Sequence, residues 1–200
     1  MKKLFFTLVI SLSTIIAVNA QEIGQFWMGG SFGFWSSKEY GEKVTSFQLM
    51  PEIGYALDDN MGIGVRLGYL SKEGIEIDYD SRGNQYFEKE RKNVFVISPF
   101  VRWAFLKGHF GGMFLDSGLG YAYLTKDDSD YTEQEFEVGI RPGVAINVSQ
   151  SVSITGKFGF IGFKHNKQGY GGDYNRYTYT NSFGIDLDMS QFLVGAIVKF

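Results

Sequence analysis

The chain has 200 residues, with 19 lysines and arginines against 22 aspartates and glutamates, and this slightly acidic balance gives no support to nucleic-acid binding. It contains no cysteine, which excludes a disulfide framework, a thiolate metal site, a thiol nucleophile and the lipid-bearing cysteine of a lipoprotein. Its 19 phenylalanines, 12 tyrosines and 26 glycines, with only three prolines, favour a sheet protein with many close backbone contacts.

The first twenty residues predict a secretory signal peptide. Lys2 and Lys3 precede an apolar stretch that ends in the small-residue cleavage site Val18-Asn19-Ala20. A single membrane-anchor helix is the alternative, and the polar residues that interrupt the stretch count against it. We therefore expect a cleaved signal peptide at 1–20 and one mature domain at 21–200. The mature part has no apolar run of helix length, which excludes a helical membrane protein but not a barrel of alternating strands.

In chain order, alternation of apolar with small or polar residues predicts a strand at 25–36 and then a hairpin from Phe47 to Tyr69. The turn of this hairpin is Asp58-Asp59-Asn60, since Asp and Asn tolerate the left-handed backbone conformation. The same hairpin unit recurs twice, with strands at 95–105, 113–123, 136–147 and 152–160, and the last of these is predicted to direct Val152, Ile154, Phe158 and Phe160 outward. An eighth strand ends at Phe200, and its apolar residues change phase, which predicts a break near Met189 to Gln191.

The connections alternate strictly between short and long. Tight turns join the two strands of each hairpin unit, and long polar loops separate the units, at 37–44, 71–92, 125–134 and 164–180. A meander with short turns at one end and long loops at the other is typical of outer-membrane barrels, whose short turns face the periplasm. Both termini are expected at that periplasmic end.

The two strand faces differ sharply, and the difference decides between two kinds of barrel. One face is almost purely Phe, Ile, Val, Leu and Tyr. The other combines glycine and serine with the charged residues Glu52, Arg66, Arg102, Asp116, Glu137, Arg141 and Lys157. A soluble lipocalin-type barrel would need the reverse, an apolar interior and a polar exterior. The sequence therefore predicts an all-β protein, an eight-stranded antiparallel up-and-down transmembrane β-barrel with the charges in its lumen.

The lumen charges are spaced as pairs. Glu52 and Arg66 are equidistant from Asp59, and Arg102 and Asp116 are equidistant from His109, so each pair is expected to face across its hairpin near mid-membrane. Arg141 and Lys157 are expected at a similar depth, and Glu137 above them. Two interpretations stay open: a path for protons or ions, and a salt-bridged plug. The plug is favoured, because bulky arginine in a narrow lumen blocks passage.

The final strand carries the most specific pattern, with alternating apolar residues and a terminal aromatic: Phe192, Val194, Ala196, Val198 and Phe200. With this ending the mature chain resembles the small eight-stranded outer-membrane β-barrels of the OmpX and OmpA membrane-domain type, the outer-membrane β-barrel domain family. The resemblance covers 21–200 and implies that the barrel-assembly machinery reads the last strand. It does not extend to a peptidoglycan-binding domain, so cell-wall anchoring is not expected.

Other possible sites are weaker. Some small barrels of this type modify lipids, but His109 falls in a turn and His165 in a loop, and neither shares a strand face with a suitably spaced serine. The acidic loop with Asp127, Asp128, Asp130 and Glu133 has only part of a calcium-ligand spacing. No catalytic residue, metal or cofactor is therefore expected. The Tyr- and Gly-rich stretch at 169–176 suits either surface recognition or plain loop structure.

The predicted function is an outer-membrane scaffold that displays four surface loops for adhesion, envelope integrity or host or phage contact, without catalysis. A narrow outer-membrane pore and a lipid-modifying enzyme are the alternatives. The expected partners are outer-membrane lipid, the barrel-assembly machinery and an extracellular ligand of the loops. No nucleic acid is expected, and the protein is expected to be a monomer.

Overall fold

The computed structural model describes residues 24–79, 82–83, 85–126, 131–170, 176–186 and 193–200. These residues form ten strands: β1 (Phe26–Glu39), β2 (Glu42–Ala56), β3 (Met61–Tyr79), β4 (Gln85–Gly108), β5 (Gly111–Lys126), β6 (Tyr131–Asn147), β7 (Val152–Lys157), β8 (Phe160–Tyr170), β9 (Arg176–Asp186) and β10 (Leu193–Lys199). No helix long and apolar enough to cross a membrane occurs among them.

The strands close into one antiparallel barrel. Each of β1 to β6 pairs with the next strand, β6 pairs with β7, β7 with β10, and β10 returns to β1. The upper strand β8 also pairs with β6, and β9 pairs with β8, so β7 with β8 and β9 with β10 are the two halves of interrupted strands. The structure confirms the predicted closed, eight-stranded up-and-down barrel.

The interruption of the seventh strand corrects one predicted side-chain direction. Lys157 lies opposite Gly143 but Ile161 lies opposite Ile140, so the strand carries one extra residue at this point. Gly159 takes a left-handed conformation there, with φ of 69°. Phe160, which was predicted to face outward with Val152 and Ile154, is buried as a result, with 3% of its surface exposed.

In the eighth strand, outward residues change parity between Ile185, which lies opposite the exposed Ile161, and the exposed Val194. The break predicted near Met189 to Gln191 lies outside the described residues.

The predicted loops are wrong in extent, because the strands continue into them. β3 runs to Tyr79 and β4 starts at Gln85, and the first connection is a two-residue turn at Tyr40-Gly41 with φ of 51° and 88°. The charges that suggested loops are paired across the ladder instead. Glu73 contacts Lys89 and Arg91 at 3.5 and 2.8 Å, for example. Backbone pairing beyond the apolar band is thus supported by cross-strand ion pairs.

The outer wall is apolar and the packed core is the lumen. Outward residues such as Phe32, Leu67 and Phe95 are more than half exposed on the isolated barrel, as a lipid-facing surface requires. Buried aromatic residues fill the interior, among them Trp27 and Phe100. The small inward residues make this possible, since a Cβ on Gly54 would lie only 2.1 Å from the Trp27 ring.

Candidate functional site in the barrel lumen

The lumen charges come from neighbouring strands at one depth. In the ladder, Glu52 on β2 lies opposite Arg66 on β3, and Arg102 on β4 lies opposite Asp116 on β5. Asp116 in turn lies opposite Arg141 on β6. Because the side-chain direction alternates along a strand, the inward parity of each strand brings its charged residue into the lumen.

Contacts across the lumen join the two pairs into one cluster, which we call the lumen network: Glu52, Arg66, Arg102, Asp116 and Lys157. Within the pairs, Arg66 Nε lies 3.3 Å from Glu52 Oε2, and Arg102 donates to both oxygens of Asp116 at 2.7 and 2.9 Å. Between the pairs, Arg66 Nη2 lies 2.8 Å from Asp116, and Arg102 Nη2 lies 3.0 Å from Glu52.

Lys157 completes the lumen network from β7. Its Nζ donates a hydrogen bond to Glu52 and lies 3.8 Å from Asp116 Oδ2. Two carboxylates therefore hold three cations. The spacing about the turns relates Glu52 to Arg66 and Arg102 to Asp116, but it cannot show the cross-lumen contacts, which depend on how the barrel closes.

All five side chains are nearly dry. Between 1% and 12% of each side chain is exposed, the carboxylates least and Arg102 most. Removing one partner of such a pair leaves an uncompensated buried charge, which typically costs ~3–5 kcal/mol. The lumen network therefore holds five strands of the barrel in fixed positions relative to one another: β2, β3, β4, β5 and β7.

Aromatic rings pack against the two arginines of the lumen network. The Arg102 guanidinium carbon lies 4.4 Å from the ring centre of Phe114 and 5.1 Å from that of Phe100. Arg66 lies 4.9 Å from the centre of the Phe100 ring, and Arg102 lies 5.4 Å from that of Trp27. These rings were not singled out in the sequence, although their inward parity was a usable signal. A cation over an aromatic face gains favourable electrostatics, most of all where water is scarce.

A second tier of charge lies beside the lumen network, towards the long-hairpin end. Arg141 Nη2 contacts both oxygens of Glu137 at 2.7 Å, four residues away on β6. The Phe160 ring packs between two cations of this tier, since its centre lies 4.8 Å from the Arg141 guanidinium carbon and 5.0 Å from Lys164 Nζ. Arg141 and Lys157 thus enter different ion pairs.

The lumen is divided unequally by these two tiers. A cavity of about 780 Å³ opens at the short-turn end and is bounded by Trp27, Arg102 and Phe114. A pocket lined by residues of the lumen network and of the Glu137–Arg141 tier has a volume of only about 10 Å³. That volume is at the limit for a single water molecule, for which ~10–15 Å³ is needed.

The remaining sequence-predicted residues lie away from this site. Val194 and Ala196 face outward on β10, and Phe200 exchanges backbone hydrogen bonds with Phe26 at 3.0 and 3.2 Å, while Phe192 lies outside the described residues. His109 packs edge-on against Phe110 in a turn, and His165 Nδ1 lies 2.6 Å from Asn181 on β9.

The acidic loop predicted as a weak calcium candidate is only partly described. Glu133 accepts a hydrogen bond from Asn166, and Asp127, Asp128 and Asp130 lie outside the described residues. In the described part of the chain, no group of three or more His, Asp or Glu side chains is placed to hold a metal ion.

Comparison with known proteins agrees with this architecture. A family model, the outer membrane protein beta-barrel domain, matches residues 5–200. A major outer membrane protein from Thermus thermophilus is similar in structure, with a TM-score of 0.51 and 13% identity over 90% of this chain and 100% of that one. The outer membrane protein OprG from Pseudomonas aeruginosa has a TM-score of 0.50 and 14% identity, over 92% of this chain and 99% of that one.

At these identities the two solved structures show a shared fold and nothing more about function. No curated protein sequence matches the chain significantly. The family model, by contrast, covers nearly every residue, from the N-terminal region to the final phenylalanine. The chain therefore belongs to the outer membrane protein beta-barrel domain family.

Proposed function

We propose that this protein is a closed outer-membrane scaffold that presents rigid β-hairpins at the cell surface and does not conduct solutes. The observation that carries the proposal is the packed middle of the lumen, where the pocket between the lumen network and the Glu137–Arg141 tier has a volume of about 10 Å³. A permeating ion would have to separate buried ion pairs, and each separation would leave charges without water or partner.

The long-hairpin end suits display. β3 continues ten residues beyond the outward aromatic pair Tyr69 and Phe95, whose ring centres are 5.2 Å apart. At ~3.3 Å per residue this is an extension of ~33 Å along the strand. By the usual orientation of such barrels the extended end faces the outside of the cell.

The extension carries an ordered exposed surface. Tyr40 stacks on Phe87 with ring centres 5.1 Å apart, although both side chains are about half exposed or more. Tyr40 takes the left-handed conformation in the tight turn between β1 and β2, and its ring contact with Phe87 joins this turn to the start of β4. Exposed aromatic residues on a stiff support provide contact area at low entropic cost, which suits adhesion or host or phage contact.

Two measurements test this function. Protein reconstituted in planar bilayers should show no discrete conductance steps, and a stable open level in the wild type would contradict the closed scaffold. An epitope inserted between Arg82 and Gly83 should be labelled by antibody on intact cells. The same epitope inserted between Ser149 and Gln150, in a short turn, should be labelled only after permeabilisation, and labelling of both on intact cells would refute the proposed orientation.

A further inference from the structure

The outer face of the β1–β2 hairpin carries two lysines directly opposite each other. Lys38 on β1 lies across the ladder from Lys43 on β2, and both side chains are exposed on the outward face. Like charges in this position repel each other and destabilise a strand pair. Among the side chains that the structure describes, neither lysine has an ion pair or a hydrogen-bonding partner for its ammonium group.

Neighbouring cations are arranged differently. On the adjacent wall, Lys89 and Arg91 both pair with Glu73, and the same carboxylate accepts hydrogen bonds from the backbone and hydroxyl of Thr45. Glu73 is thus already occupied by its own partners. Glu42 directly precedes Lys43 on β2 and belongs to the opposite face, because side chains alternate along a strand.

The outward residue pairs of the β1–β2 hairpin become more polar towards the lysines. Moving up the hairpin, the facing outward pairs are Phe32 with Leu49, Phe34 with Phe47, Ser36 with Thr45, and Lys38 with Lys43. The apolar pairs suit acyl chains, the hydroxyl pair suits an interface, and the cationic pair suits an anion. The change from apolar to hydroxyl to cationic pairs matches the change from acyl chains to headgroup along a lipid molecule.

The height of the lysines fits this order. Phe26 contacts Tyr55 at 4.9 Å between ring centres and marks the lower aromatic border of the wall. Lys38 is twelve residues further along β1. At ~3.3 Å per residue and ~40° tilt, that distance is ~30 Å along the membrane normal, about 5 Å beyond the ~25 Å apolar band of such barrels. Headgroup phosphates lie in this layer, which is ~5–7 Å thick.

We propose that Lys38 and Lys43 form a binding site for the phosphorylated headgroup of an outer-leaflet lipid, whose acyl chains lie along the aromatic pairs below. The inference goes beyond the display function, because it assigns a specific lipid contact to one hairpin. Two flexible ammonium stems on facing positions can reach the same phosphate, and the phosphate removes their mutual repulsion.

The test measures lipid binding by native mass spectrometry on detergent-purified protein. The probes are lipid A with both phosphates, lipid A without phosphates, and phosphatidylglycerol. Wild type should bind phosphorylated lipid A most tightly. Replacing both lysines (Lys38→Gln with Lys43→Gln) should weaken this binding by roughly thirty-fold, given about five-fold per lysine near an anionic surface. Binding of the phosphate-free form should not change.

The matched control is Lys89→Gln with Lys92→Gln, which removes the same charge from cations that have acidic partners. A second variant, Lys38→Arg with Lys43→Arg, keeps both charges and should retain binding. An equal loss in the glutamine control would show a general charge effect and overturn the proposal. Preference for phosphatidylglycerol would overturn the outer-leaflet assignment. Equally tight binding of soluble polyphosphate would show that acyl chains contribute nothing and would overturn the lipid site.

Discussion

The lumen network and the cluster around Glu73 are both groups of cross-strand ion pairs, but the first is buried in the barrel and the second is open to water. In both, a carboxylate on one strand holds cations from neighbouring strands. In the lumen at most 12% of any participating side chain is exposed, whereas Lys89 and Arg91 on the hairpin extension are 47% and 53% exposed. Similar ion pairs therefore contribute differently to stability, since water replaces a lost partner outside the barrel but not inside it.

The largest expected effect is the loss of one lumen partner. Arg102→Ala should destabilise the refolded barrel by ~3–5 kcal/mol in urea unfolding, because Asp116 and Glu52 each lose a direct partner. Adding Asp116→Ala should recover part of the loss, and the double-mutant cycle should give a coupling energy of ~0.5–3 kcal/mol. The control cycle pairs Arg102→Ala with Glu73→Gln in the extension. A lumen coupling no larger than that of the control would show that the network is not a mutually dependent unit.

The second effect concerns space rather than charge. Gly54→Ala should cost ~1–3 kcal/mol, since the added Cβ would lie 2.1 Å from the Trp27 ring in the filled lumen. The matched change Gly74→Ala meets no atom within 4 Å and should be neutral or stabilising by ~0.4–1 kcal/mol. Thermal unfolding of both variants checks the pair, and equal destabilisation would mean that the lumen packing at Trp27 is looser than its contacts indicate.

The sequence predicted the strand order and the inward or outward direction of most side chains better than it predicted the contacts inside the lumen. Alternation and turn chemistry were sufficient for the strand order, because each inward or outward direction follows from parity within a strand. The symmetry about Asp59 and His109 likewise placed Glu52 opposite Arg66 and Arg102 opposite Asp116. Local rules of this kind operate within one hairpin.

What the sequence could not show depends on the closed barrel. The Arg66–Asp116 contact joins residues 50 positions apart, and its geometry is set by strand tilt and register around the whole circumference. Phe160 was assigned to the wrong face because one extra residue at Gly159 reverses parity, and no composition rule marks that position. The strand extensions were missed since paired charges in a ladder and solvated charges in a loop have the same composition.

A smaller effect is expected from the exposed carboxylate. Glu73→Gln should destabilise the protein by less than about 1 kcal/mol, because its ion-pair partners are open to water. Raising the salt concentration from ~0.05 to ~0.5 M should reduce this contribution further and leave the Arg102–Asp116 coupling nearly unchanged. Urea unfolding at the two salt concentrations makes the comparison, and a salt-sensitive lumen coupling would indicate that water reaches the network.

The smallest effect is a pH dependence confined to the extension. The hydroxyl of Thr45 and the guanidinium of Arg91 donate hydrogen bonds to the Glu73 carboxylate and lower its pKa from 4.5 to about 2, against the opposing effect of burial. Because the pKa in the folded state lies below that of the unfolded chain, this group contributes stability that is fully present above about pH 4.5. That contribution is lost as the pH falls towards 2. The difference in thermal midpoint between wild type and Glu73→Gln should therefore be constant from pH 5 to 8 and should shrink below pH 4.5. A difference that grows on acidification would mean that the carboxylate is protonated in the folded extension and that these hydrogen bonds do not hold it in its charged form.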